Sequence, residues 1–132
     1  VQTCALPIYS GKTSLLVPEY SGTLSATWFE EFGNGMGLDA TLDVLYTDDY
    51  LLTPTLDPRF VQDSFVRLNG RLALTLPGGE WEIALVGKNL TDEVIVNFGN
   101  YVPLAGPTFG ALGFFAFIEQ PRSVAMQVTW MY

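Results

Sequence analysis

The chain has 132 residues, 48% of them hydrophobic and 14% aromatic, enough apolar material for one domain with a sizeable core, which excludes a disordered chain. Its 14 acidic side chains against 6 basic ones give a net charge of -8, which argues against nucleic acid as a partner and against docking on an anionic membrane surface by electrostatics. Histidine is absent and cysteine occurs once, so neither a Cys/His metal site nor an internal disulfide can be built, and no cofactor is expected.

In chain order, the opening "VQTCALPI" has no charged segment followed by an apolar run, so no signal peptide is visible. The octet resembles a translated sequencing-adapter remnant, with a genuine loop segment as the alternative, and the chain reads as starting inside a longer protein. Val1 to Ser10 are expected to carry no function. "SGKTS" (Ser10 to Ser14) ends like a phosphate-binding loop, but the position five residues ahead of Gly11 is Leu6, not glycine, and no strand leads into a helix there.

From Tyr20 onward the hydrophobic pattern has a period of two. In "GTLSATWFEEF", Leu24, Ala26, Trp28 and Phe32 share one parity against Thr23, Ser25 and Thr27, with Glu30 the exception on the apolar side. Successive side chains of a strand point to opposite faces, so this is a strand with one wet face. "GNGMG" (Gly33 to Gly37) supplies a tight turn. A second strand follows, with Leu38, Ala40, Leu42, Val44, Tyr46 and Tyr50 against Asp39, Thr41, Asp43, Thr47 and Asp49. The two prolines between Leu52 and Asp63 mark a longer loop. "FVRLNGRLALTL" then sets Val66, Leu68, Leu72, Leu74 and Leu76 against Arg67, Asn69, Arg71, Ala73 and Thr75. "PGGE" (Pro77 to Glu80) turns the chain into a fourth strand carrying Trp81, Ile83 and Leu85. The ending "PRSVAMQVTWMY" is the most regular, with Val124, Met126, Val128, Trp130 and Tyr132 at every second place. Five antiparallel strands are expected, near residues 20–32, 37–51, 64–77, 80–92 and 119–132, paired in sequence order.

Val94 to Ile118 contains no charge and is long enough for a membrane helix, but its prolines and glycines break one repeatedly. It reads as a loop, with "GALGFFAFIE" extending the final strand. Connections thus alternate short, long, short, long, which is the layout of an up-and-down outer-membrane barrel with short turns on the periplasmic side. Placing the short turns there puts Trp28, Phe32, Trp81, Trp130 and Tyr132 near one membrane edge and Tyr20, Tyr46, Tyr50 and Phe65 near the other, as two aromatic girdles. The polar parity, with Asp39, Asp43, Arg67, Arg71, Glu82 and Gln127, would line a wet interior. The fold class expected is all-β: an antiparallel meander of about five strands forming the C-terminal part of a transmembrane β-barrel. Leu42, Val44, Leu72, Leu74, Ile83, Met126 and Val128 are expected to face lipid. The two acids on that parity, Glu30 and Asp48, are expected at the rims.

"VGKNLTDEV" (Val86 to Val94) resembles the penultimate-strand signature of TonB-dependent outer-membrane receptors, in which an Asn-Leu-Thr-Asp run, here Asn89, Leu90, Thr91 and Asp92, follows an apolar strand. "PRSVAMQVTWMY" resembles their final strand, opened by Pro121 and Arg122 and closed on an aromatic residue; Tyr132 stands where the family often has phenylalanine. "VPEYSGTLSATW" is similar to a strand entry of the same receptors, so the resemblance covers Pro18 to Tyr132.

The resemblance implies that residues 20–132 are the C-terminal strands of such a receptor, with 1–19 non-native or part of an extracellular loop, and that the location is the bacterial outer membrane. It further implies that Val128, Trp130 and Tyr132 belong to the signal read by the barrel assembly machinery. The other partners implied are outer-membrane lipid, the rest of the barrel with its plug domain, TonB through that plug, and a small-molecule nutrient: a ferric siderophore, a vitamin or a glycan. No residue here corresponds to the plug or the TonB box, and the tail does not identify the ligand. Asp48-Asp49 and Glu30-Glu31 are adjacent pairs whose side chains point apart on a strand, and Asn89-Leu90-Thr91, formally a glycosylation sequon, is better explained as the strand-end motif. No catalytic constellation is present and an enzyme is not expected. One alternative is a complete eight-stranded structural or adhesive barrel using "ALPIYS", "VIVNFGNYV" and "GALGFFAFI". Another is a soluble lipocalin-like binder, against which the polar inward parity counts.

Overall fold

The computed structural model describes residues 14–53, 57–106, 110 and 113–132. Among these the chain is all-β, with strands β1 (Ser21–Glu31), β2 (Gly37–Thr47), β3 (Tyr50–Leu51), β4 (Val61–Gln62), β5 (Phe65–Thr75), β6 (Trp81–Lys88), β7 (Val96–Tyr101), β8 (Phe114–Ile118) and β9 (Ser123–Trp130). Five of them form one antiparallel sheet in the order β1-β2-β5-β6-β9, and β3-β4 and β7-β8 are separate two-stranded hairpins. The five main strands and their order match the alternation of the sequence. "ALPIYS" lies outside the described residues.

The short turns follow their residues. Gly79 N donates to Leu76 O at 3.0 Å around Pro77 and Gly78, the latter at φ 96°, as a type II turn demands of proline followed by a residue at positive φ. At the other short turn, Gly35 takes φ 80° and Phe32 N donates to Met36 O at 2.8 Å.

Cross-strand register places like with like. One row joins Trp28, Ala40, Leu72, Leu85 and Met126, the next Glu30, Leu38, Leu74, Ile83 and Val128. The opposite face carries rows such as Thr27, Thr41, Arg71, Val86 and Ala125. Among eight charged residues in the five main strands, only Glu30 shares the apolar face, and it sits one residue from the end of β1. Asp48, just beyond β2, accepts from the Tyr46 hydroxyl at 3.3 Å while its amide donates to Tyr20 O at 2.9 Å.

Large apolar side chains stay bare on that face: Leu24 is 72% exposed, Leu72 48% and Met126 70%. Burial is found elsewhere. Leu52, Phe60, Ile95 and Ala105 are buried among the loop hairpins, and Ala73 and Ala84 are buried on the polar face.

Five expectations need correction. β6 stops at Lys88 rather than near 92, because Asn89 and Asp92 adopt left-handed φ values of 50° and 61° that leave the extended ladder. The segment 114–118 does not extend the final strand: β8 pairs with β7, and residues 119–122 separate it from β9. Phe65 does not belong to an outward girdle, since it pairs with Thr47 on the polar face and is 7% exposed. The second strand ends at Thr47 rather than near 51, and Tyr50, in β3, is turned into the loops, its hydroxyl donating to Val96 O at 3.1 Å. Tyr20 and Tyr46 remain exposed near that edge. Trp81 and Trp130 pair at the opposite edge with rings 6.1 Å apart.

Candidate functional site

Three constellations are built on this frame. The first is an ionic network on the polar face. Arg71 Nη1 reaches Asp39 Oδ1 at 3.3 Å and Arg71 Nη2 reaches Glu82 Oε1 at 2.5 Å, while Arg67 pairs with Glu119 and Ser25 Oγ donates to Asp43 Oδ1 at 2.5 Å. Register explains the choice of neighbours. Arg71 opposes Val86 and Glu82 opposes Thr75, so their bridge lies diagonally across the buried Ala73–Ala84 pair. Each ion pair is partly solvated, so alone it is worth about 0–1 kcal/mol, and Arg71 links Asp39 and Glu82 into one set. Arg67, Asn69, Lys88 and Glu119 line a concavity of about 450 Å³ beside it.

The second constellation gathers the motif residues of the two chain segments. Asn89 is 3% exposed. Its side-chain nitrogen donates to Glu93 O at 2.8 Å, its side-chain oxygen accepts from Glu93 N at 3.1 Å and Thr91 Oγ1 at 3.4 Å, and its own amide donates to Asn69 Oδ1 at 3.0 Å. Asparagine suits the place because it tolerates a left-handed φ and bonds the backbone that follows it. Leu90 N donates to Leu68 O at 2.8 Å, and the Leu90 side chain folds over Gly87 so closely that a Cβ there would lie 2.7 Å from Leu90 Cδ2. Asp92 closes the unit: Oδ1 accepts from Arg122 N at 3.3 Å and Oδ2 lies 3.3 Å from Arg122 Nη2. Asn89, Leu90, Thr91, Asp92 and Arg122 therefore form one knuckle that ends the β6-β9 ladder and opens the β7-β8 hairpin. Pro121 immediately precedes Arg122 at the start of the last segment. Val128, Trp130 and Tyr132 lie elsewhere, along the far end of β9, with the Trp130 and Tyr132 rings 5.6 Å apart.

The third constellation was not legible in the sequence. Arg59 Nε donates to Asp57 Oδ1 at 3.0 Å and Nη2 to Asp57 Oδ2 at 2.8 Å. Arg59 Nη2 also meets the Tyr101 hydroxyl, which donates to Asp57. The guanidinium lies 5.6 Å from the ring centres of both Tyr101 and Phe114, within cation–π range. The Arg59 and Tyr101 hydrogen bonds hold the Asp57 carboxyl well below the usual carboxylate range, and the bond to Asp57 pushes the Tyr101 hydroxyl up. A local signal existed in "LDPRF", since an Asp two residues before an Arg can accept its amide, as Arg59 N does to Asp57 Oδ1 at 3.0 Å. Tyr101 stands 42 positions further on, and nothing in the alternation foretold it.

Among the described residues no group of His, Cys, Asp and Glu is arranged to hold a metal ion. No family model, curated protein or solved structure matches the chain.

Proposed function

We propose that this chain is the C-terminal wall segment of an outer-membrane β-barrel of the TonB-dependent receptor type, which takes up a scarce nutrient such as a ferric siderophore, a vitamin or a glycan. One observation carries the proposal. The exposed large apolar side chains of the five-stranded sheet, Phe29 excepted, lie on one face, and the ionic network lies on the other. Soluble monomers rarely leave so broad an apolar surface bare, whereas a barrel wall needs it against lipid and needs a polar interior. The main strands run 8 to 11 residues, close to the roughly 9 to 11 a tilted strand needs to cross a bilayer.

Five strands alone leave two open edges, which lipid does not tolerate, so the segment requires further strands to close the wall. The eight-stranded alternative draws less support, because two of its extra strands, β7 and β8, pair only with each other. The test is to express the full-length protein and follow it through membrane fractionation and gel mobility before and after boiling. Recovery in the outer membrane as a heat-modifiable barrel, with nutrient uptake lost when either the gene or TonB is removed, is expected. Recovery as a soluble protein would refute barrel membership, and uptake independent of TonB would refute the receptor assignment.

A further inference from the structure

The two loop hairpins meet each other through side chains. Phe60, from the β3-β4 side, sits against Tyr101 and Phe114 of the β7-β8 side at ring distances of 5.1 and 5.6 Å. Gly99 permits the approach, because a Cβ there would lie 3.1 Å from Phe60 Cδ1. Polar bonds cross the same seam: Val96 N donates to Gln62 Oε1 at 2.7 Å, and the Tyr50 hydroxyl donates to Val96 O at 3.1 Å. Gln62 is 8% exposed and Leu52 4%, so the seam has its own small core. Over its outer rim lies the Asp57–Arg59–Tyr101 cluster, in which one residue pair comes from one loop and the tyrosine from the other.

We propose that Asp57, Arg59 and Tyr101 form a latch that makes the two hairpins open and close as one body. Three features support this over two loops that merely touch. The Tyr101 hydroxyl donates to the Asp57 carboxylate and meets the Arg59 guanidinium, which Asp57 holds in place through both oxygens, so separating the hairpins costs charge-assisted bonds rather than neutral ones. Arg59 spends its stacking surface on Tyr101 and Phe114, both from the opposite hairpin. The main sheet holds neither hairpin by ladder pairing, since each forms a sheet of its own, so their relative position is set at the seam. An element that leaves the ladder yet is fastened to its neighbour is a body of low independent stability joined to a second one. The latch does not depend on the membrane assignment, and its failure would leave that assignment untouched.

Amide hydrogen exchange on the full-length protein, wild type against Arg59→Ala, tests the latch. The reporters are Val96 N across the seam, Leu52 N within the first hairpin, bonded to Phe60 O at 2.9 Å, and Val102 N within the second, bonded to Gly113 O at 2.9 Å. All three are expected to exchange faster by a common factor of about tenfold, the scale of losing a charge-assisted bond, with the amide of Leu72 in the main sheet unchanged. Acceleration confined to Leu52, with Val96 and Val102 unaffected, would overturn the proposal. Should Arg59→Ala disturb the main sheet as well, Tyr101→Phe decides, because it removes only the hydroxyl: faster exchange in both hairpins upholds the latch, and faster exchange in one or neither overturns it.

Discussion

Replacing Leu42 with lysine separates a lipid-facing sheet from a solvent-facing one. Leu42 is the sixth of eleven residues in β2, and its row contains Ala26, Gly70, Gly87 and Val124. At about 3.3 Å per residue and a tilt of about 45°, the five residues on either side project roughly 12 Å along the membrane normal. In the proposed barrel wall this would place Leu42 near the middle of an apolar band about 25 Å tall, where a lysine costs about 2–4 kcal/mol. Glu30 lies one residue from the end of β1, so Glu30→Lys falls at the rim, where the cost is roughly 0–1 kcal/mol. On a soluble sheet the two substitutions would differ little. Leu42 is already 45% exposed, and surface changes of this kind stay within about 0.5 kcal/mol. The assay is reversible guanidinium unfolding of the full-length protein from lipid bilayers, read as a shift of midpoint at constant slope. A large shift for Leu42→Lys beside a small one for Glu30→Lys is expected. Equal shifts would refute the placement of the band.

The knuckle gives two further tests. Asn89→Ala removes the bonds to Glu93 and Thr91 and leaves alanine at φ 50°, so unfolding should show a loss of about 2–4 kcal/mol, of which Asn89→Gly recovers only the backbone part, about 1 kcal/mol. Gly87→Ala drives a methyl to 2.7 Å from Leu90 Cδ2 and should cost about 1–3 kcal/mol; a double-mutant cycle with Leu90→Ala should show most of that cost relieved. The loop latch should not respond to moderate pH. Asp57 is held below the ordinary carboxylate value and Tyr101 above the ordinary phenol value, so the Asp57 contribution is lost only as pH falls through its depressed folded value and the Tyr101 contribution only as pH rises through its raised one. Hydrogen exchange at Val96, corrected for its intrinsic pH dependence, should therefore give the same protection between about pH 5 and about pH 9.

The sheet was legible because its residues alternate without competing signals. Leu42 and Asp43, Arg71 and Leu72, and Met126 and Gln127 each declare a face, and the register follows once the faces are set. What remained hidden lies where period two stops. The β3-β4 hairpin is two residues a side, with two prolines in the connection between its strands, too short for any pattern. β8 is apolar on both faces and β7 carries an asparagine on each parity, Asn97 and Asn100, so neither pattern names a side. Phe65 has the polar parity but an aromatic ring, and it is buried at the sheet end rather than displayed to lipid. Arg67 finds Glu119, outside any strand, and no spacing rule joins positions 52 residues apart. The motif residues are visible in the sequence as a resemblance; that Asp92 clasps Arg122 is a contact only the fold displays.

In the proposed barrel wall one face of the sheet meets lipid and the other meets water. Met126 and Gln127 are neighbours on β9, both exposed, and neither takes part in an ion pair. Nitroxide labels on Met126→Cys and Gln127→Cys in the full-length protein, reconstituted in bilayers, read that difference directly through collision with oxygen, which concentrates in lipid, and with a water-soluble nickel complex. The label at 126 is expected to collide mainly with oxygen and the label at 127 mainly with nickel. Equal nickel collision at both positions would contradict the claim.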